Sequence, residues 1–216
     1  EWLEIHITKS GDKTLYIPSL DETYHSRNGA ISESNHVFIH QGINRTKGDI
    51  HILEIGFGTG LNALLAAQEA KKQNRKIIYH TLEPIPVPNH LLEQLNYDQT
   101  IEGKELFKKI HEVKWESNEQ VTNNFTIHKT EKKLEDINLE EAQYDVVFFD
   151  AFAPKKQPEL WEKSIFNKLF KSVRKNGILT TYSAAGQLKR DLKSAGFIIE
   201  NPPGANGKRE MSVAIK

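Results

Sequence analysis

The 216-residue sequence contains no cysteine and a single methionine. Disulfides, thiolate metal sites and a cysteine nucleophile are thereby excluded. Neither sign of charge is in excess: 29 lysines and arginines face 29 aspartates and glutamates, a formal net charge of zero. Overall charge therefore gives no vote for a polyanionic partner, although local basic clusters stay open. No apolar run approaches the ~20 residues of a membrane helix, and the opening EWLEIHITKSGD lacks a signal peptide's apolar core. No membrane association is expected, and a cytoplasmic location is. His25 and His36 have no cysteine or third histidine spaced to complete a metal site, so no metal is expected. What is present, 38% hydrophobic and 27% charged residues, is an ordinary globular composition. The length suits one domain with a modest extension.

EWLEIHITKSGDKTLYIP alternates apolar and polar residues around SGD, which predicts a hairpin. A loop-rich stretch, SLDETYHSRNGAISESNHVFIHQGIN, follows. Strand-like and helix-like segments then alternate. HILEIG, KIIYHTLEP, FTIHKTE, YDVVFFDA, GILTTYSA, FIIEN and REMSVAIK read as strands. Helices are expected from Leu61 to about Lys72, in a Pro-broken region from about Asn89 to Trp115, from about Pro158 to Arg174, and from about Gln187 to Ala195. Leu160, Trp161, Ile165, Phe166, Leu169, Phe170 and Val173 recur at helical spacing and mark one buried face. Apolar strands alternating with helices argue for an α/β fold, a mostly parallel sheet covered on both faces. Residues 1–48 are expected to form an N-terminal β-hairpin and loop extension packed on a domain of residues 49–216.

LEIGFGTGLN follows a strand and opens a helix, the setting in which a glycine-rich turn binds a nucleotide-like ligand. A phosphate-binding P-loop requires a Lys-Ser or Lys-Thr pair, where this chain has Leu61 and Asn62. A dinucleotide fingerprint, G-x-G-x-x-G, would need its third glycine at Leu61 rather than Gly60. E-x-G-x-G-x-G instead resembles the S-adenosylmethionine loop of Rossmann-like methyltransferases. Glu54 would repel a pyrophosphate but suits a ligand carrying an ammonium and a sulfonium. Glu83, at the end of the next strand, stands where a carboxylate accepts both hydroxyls of a ribose. The cofactor site expected is Glu54, Gly56, Phe57, Gly58, Thr59, Gly60, Asn62 and Glu83, with S-adenosyl-L-methionine as the cofactor.

YDVVFFDAFAPKKQPELW delivers Asp150 to the carboxyl edge of the sheet, where open α/β sheets place their chemistry. The other role for Asp150 is a helix cap, but Pro154 and Pro158 put the next helix start several residues later. YHSRNGAISESNHVFI, LEIGFGTGLN, FFDAFAPKKQPELW, TYSAAGQLKRDLKSAGF and GKREM, five motifs over residues 14–216, together resemble one family. It comprises the bacterial methyltransferases that finish 5-methylaminomethyl-2-thiouridine at the tRNA wobble position. In many bacteria that unit is fused to an FAD-dependent oxidoreductase; ending at Lys216, this chain resembles the stand-alone form.

The resemblance implies a Rossmann-like class I methyltransferase sheet of seven strands, the last antiparallel, preceded by a small β-rich extension. It implies N-methylation of the primary amine of 5-aminomethyl(-2-thio)uridine in the tRNA anticodon stem-loop. It also implies a functional link to a separate enzyme that makes the aminomethyl precursor. Where relatives often show Gly-Asp near the adenine, this chain has Lys132 and Lys133, with Asp136 slightly later. The residue meeting the adenine therefore stays open.

An alkylammonium with a pKa of about 10 must lose a proton before it attacks, and Asp150 is placed to take or relay it. Tyr24, Phe57 and Phe152 are expected walls for a flipped base, with Pro154 beside them. His25, Glu33 and His36 share the loop-rich segment that folds over the crevice on this reading. Lys208 and Arg209, and also Lys155, Lys156, Lys189, Arg190 and Lys193, are the basic groups available to phosphates. The alternatives are a methyltransferase for another RNA or a small amine, and a non-catalytic S-adenosylmethionine-binding protein.

Overall fold

In the computed structural model, which describes residues 2–216, the chain opens with the expected hairpin, β1 (Glu4–Ile7) and β2 (Lys13–Ile17). A two-residue strand, β3 (Glu22–Thr23), makes it a three-stranded antiparallel sheet. The stretch read as loop-rich is partly helical. It holds α1 (Ala30–Ser34), a π-helix (Asn35–His40) and a 3-10 turn (Ile43–Arg45). Asp12 in the hairpin turn fixes the start of α1, its carboxylate accepting from Ala30 N at 3.1 Å and Ile31 N at 2.8 Å.

From there strands and helices alternate: β4 (Ile50–Ile55), α2 (Leu61–Lys72), β5 (Ile77–Leu82), α3 (Asn89–Leu92), α4 (Ile101–Glu112), β6 (Asn118–Thr122) and β7 (Phe125–Thr130). β8 (Tyr144–Phe149), α5 (Lys163–Ser172), β9 (Val173–Thr181), α6 (Gly186–Ala195), β10 (Ile198–Glu200) and β11 (Ser212–Ile215) complete the fold. The sheet has eight strands in the order β10-β11-β9-β8-β4-β5-β7-β6, one more than the seven expected. The extra strand, β6, pairs antiparallel with β7 at the edge. Its sequence, NEQVT, buries only Val121, so it carries no apolar run to signal it.

Two helix expectations also change. The region from Asn89 splits into the single turn α3 and the longer α4, which starts where Thr100 Oγ1 accepts from Gly103 N at 3.0 Å. The helix expected from Pro158 begins as a 3-10 turn (Pro158–Trp161), and α5 ends at Ser172. Val173 and Arg174 belong to β9, which pairs irregularly with β8 around Asp145. As expected, β11 runs antiparallel to both of its neighbours.

The sheet's pleat feeds two cores. Ile52, Tyr79, Ile127, Val146 and Phe148 face α2 and the π-helix, while Leu53, Ile55, Val147 and Phe149 face α5 and α6. Both faces are buried, which is why β4 and β8 read as unbroken apolar runs. β4 pairs with β5 on one side and β8 on the other, so strand order reverses there. A crevice opens outside the carboxyl ends of β4 and β8, the position where such sheets bind ligands.

Candidate active site

The loop after β4 is tied down by the strand beside it. Gly56 N and Phe57 N both donate to the Leu82 carbonyl, at 3.0 and 3.2 Å. Gly58 sits at φ +54°, and a Cβ there would lie 3.0 Å from the Tyr24 ring. At Gly60, φ +80°, a Cβ would meet His111 Nε2 at 2.6 Å. Both positions need glycine twice over, for left-handed backbone and for close approach. The neighbours are the protein's own: Tyr24 from the N-terminal extension, and His111 from the end of α4, whose Nε2 donates to the Thr59 carbonyl at 2.8 Å.

The three acids named in the sequence are placed differently. Glu83 lines the crevice, its two oxygens accepting from Gly58 N at 2.9 Å and Ile85 N at 3.2 Å. Burial pushes its carboxyl up to about 7, with the two backbone bonds working the other way. Glu54 is fully buried behind the loop and does not border the crevice. Its Oε1 accepts from Thr81 Oγ1 at 2.8 Å, and burial pushes it up to about 8. Asp150 follows β8 and accepts from Asn62 Nδ2 at 2.9 Å. It too is pushed up to about 8, first by burial and then by the negative charge of Glu33, the Asn62 bond opposing.

Two cavities meet at Asp150. The crevice, about 750 Å³ counted to its open mouth, runs from Glu83 and the loop to Asp150. A second, about 790 Å³ on the same count, continues from Asp150 to Glu33, Tyr182 and Lys208. Tyr24 and Phe152, edge to face at 5.1 Å, border both. The second cavity is lined by charge of both signs. Glu33 Oε1 accepts from Ser26 N at 3.0 Å, and its Oε2 pairs with Lys208 Nζ at 3.2 Å. Tyr182 donates to the Ala151 carbonyl at 2.8 Å, and Lys208 lies over its ring at 5.8 Å. The turn carrying Lys208 is latched to the N-terminal extension: Ser32 Oγ donates to Asn206 Oδ1 at 2.7 Å and His36 Nε2 to the Pro203 carbonyl at 2.6 Å.

Gly56, Phe57, Gly58, Thr59, Asn62, Glu83, Tyr24, Asp150 and Phe152 thus border the crevice, and Lys208 the second cavity. Gly60 is turned toward His111, while Pro154 and Arg209 border neither space. His25 lines both cavities as a buried neutral ring, pushed down to about 4 by burial. Of the other basic groups, Lys189 is paired with Glu210 at 2.8 Å and Lys156 is bonded to the Leu20 carbonyl.

Sequence reasoning passed over His111, Trp115 and Lys129. Lys129 is buried, its Nζ donating to the Ile110 and His111 carbonyls at 2.9 Å each and lying 4.9 Å from the Trp115 ring centre. Its signal was available, since Phe125, Ile127 and Lys129 alternate onto one buried face. Lys132, Lys133, Leu134 and Glu135, after β7, line the crevice, whereas Asp136 does not.

A family described as S-adenosyl-L-methionine-dependent methyltransferase matches residues 94–216, more than half of the chain. A tRNA 5-methylaminomethyl-2-thiouridine biosynthesis bifunctional protein MnmC from Cupriavidus metallidurans is 29% identical over 95% of this chain. The protein of that name from Campylobacter hominis is 27% identical over 91%. The chain spans about a third of the length of these curated relatives, 33% and 30% respectively. Among solved structures, MNMC2 from Aquifex aeolicus superposes with a TM-score of 0.81 over 98% of this chain and 70% of that one, at 24% identity, a likeness of fold.

Proposed function

Because the chain belongs to the S-adenosyl-L-methionine-dependent methyltransferase family, we propose that it methylates the primary amine of 5-aminomethyl(-2-thio)uridine at the wobble position of tRNA, in the cytoplasm. The observation that carries this reading is Asp150, shared by the crevice beside the glycine loop and Glu83 and a second cavity with acidic and basic walls. The names of the relatives, all concerned with this nucleoside, support it.

The residues present suit the cofactor. Glu83 offers carboxylate oxygens just after β5, and the Gly56–Gly60 turn lines the same crevice with Gly56, Phe57, Gly58 and Thr59. The wall from Lys132 to Glu135 would flank the adenine. S-adenosylmethionine, when bound, supplies an electrophilic methyl group. The protein's task is to present a neutral amine to it. Asp150 and Glu33 hold the incoming ammonium by charge, and Asp150 accepts one N–H proton, freeing the nitrogen lone pair. A carboxylate raised to about 8 is a far better base than an ordinary aspartate, and closer to the ~10 of an alkylammonium. Tyr24 and Phe152 offer ring faces and edges to the uracil. Lys208 and Arg209 meet the phosphates, Lys208 by exchanging Glu33 for the RNA.

The test is incubation with labelled S-adenosylmethionine and tRNA from a strain lacking this activity, followed by nucleoside mass spectrometry. One methyl added to 5-aminomethyl(-2-thio)uridine is the expected result. Methylation of small amines with none on tRNA would overturn the reading.

A further inference from the structure

The acid that shares the second cavity with Asp150 is already engaged. Glu33 Oε1 accepts from Ser26 N at 3.0 Å, and its Oε2 accepts from Lys208 Nζ at 3.2 Å. That partner is a primary alkylammonium, the same chemical group as the protonated amine proposed above. Lys208 borders the cavity together with Asp150, Glu33 and Tyr182, and its Nζ lies 5.8 Å from the Tyr182 ring centre. Tyr182 is anchored beside Asp150, its hydroxyl donating to the Ala151 carbonyl at 2.8 Å. The negative charge of Glu33 also reaches Asp150, second to burial among the causes that raise the Asp150 carboxyl. An incoming cation therefore finds one of the two acids neutralised, and a like charge in its way.

The members of this pair are unequally free. The Glu33 side chain is 11% exposed and that of Lys208 45%. The main chain around Lys208 is fixed separately: Lys208 N donates to the Ala205 carbonyl and Gly204 N to the Lys208 carbonyl, both at 3.0 Å. The ammonium can thus leave Glu33 by rotation of its own side chain, with the turn in place. A pair with one half-exposed member is a weak tie that another anion can break. We propose that Lys208 determines specificity as a lock on the second cavity, holding Glu33 against free small amines until an RNA phosphate draws it away. Phosphate and amine must then arrive on one molecule. The inference rests on the reading of this cavity as an amine site, but its first test needs neither turnover nor tRNA.

That test is calorimetry with the 5-aminomethyluridine nucleoside, which carries the amine and no phosphate. It should bind Lys208→Met about three- to fivefold more tightly than wild type, the order of a released, partly exposed ion pair. 5-Methyluridine, which lacks the amine, should bind both proteins alike. The gain should vanish in a Glu33→Gln background, a result that a purely structural Lys208 would not give. tRNA containing 5-aminomethyluridine should show the opposite change, binding Lys208→Met more weakly than wild type. No gain for the nucleoside, a gain that persists with Glu33→Gln or extends to 5-methyluridine, or unchanged tRNA affinity would overturn the lock. If the gain appears while wild-type protein neither binds nor methylates tRNA, the proposed substrate fails and the guard over Glu33 stands.

Discussion

At the scale of single residues, Asp150 carries a conflict between stability and chemistry. Its carboxyl is held at about 8 in the fold, against 3.8 for the free group. Between those values the folded chain binds a proton that the unfolded chain has released, so its contribution to stability falls as pH rises from about 4 to about 8. Asp150→Asn removes that penalty and keeps an acceptor for Asn62. Thermal melts should therefore show Asp150→Asn the more stable protein at pH 8, with the gap closing toward pH 4. The same variant should lose methyl transfer by roughly 10²–10⁴-fold, the range of a positioned general base. Wild-type kcat/KM should rise with pH toward about 8 as Asp150 ionises. A flat profile between pH 6 and 8 with chemistry rate-limiting would contradict that assignment.

At the scale of elements, the site depends on a loop held from both sides. Gly58→Val would force a branched residue into left-handed backbone and its side chain into the Tyr24 ring. Calorimetry should find no S-adenosylmethionine binding in the folded variant. Behind the loop, Lys129 closes the end of α4 and thereby fixes His111. Lys129→Met removes the donor to the buried Ile110 carbonyl and the half-buried His111 carbonyl and should lower unfolding free energy in urea by about 1–3 kcal/mol. The sequence reading reached the loop and Asp150 because both follow strands whose two faces are apolar. That same burial hid the placement of Glu54: in a strand covered on both sides, alternation does not say which face a polar residue takes. Segment 30–40 escaped for a different reason. Gln41 N donates to the His36 carbonyl at 3.1 Å, a wider π turn, and Val37, Phe38 and Ile39 bury in succession. No 3.6-residue period exists there to be read.

At the scale of the whole molecule, zero net charge has to be reconciled with the polyanionic substrate proposed above. Several basic groups are already engaged, Lys208 with Glu33 and Lys189 with Glu210. If three to five of them meet phosphates, log affinity for tRNA should fall against log salt with a slope of about −2 to −4. Replacing Lys208 and Arg209 together by Ala should flatten it by about one while sparing S-adenosylmethionine binding. Salt-independent tRNA affinity would remove these contacts from the reading. The sheet order carries one more consequence, for the chain as the ribosome makes it. Chains emerge amino end first, so β9 and β10 are both exposed before β11, which lies between them, exists. By the time Trp161 has been translated, every side chain of the crevice is present. The second cavity still lacks Tyr182 and Lys208. A nascent chain thus completes the lining of the crevice well before that of the second cavity. β11, made after both of its neighbours, closes the open flank of β9, and the turn before it brings Lys208 to the second cavity.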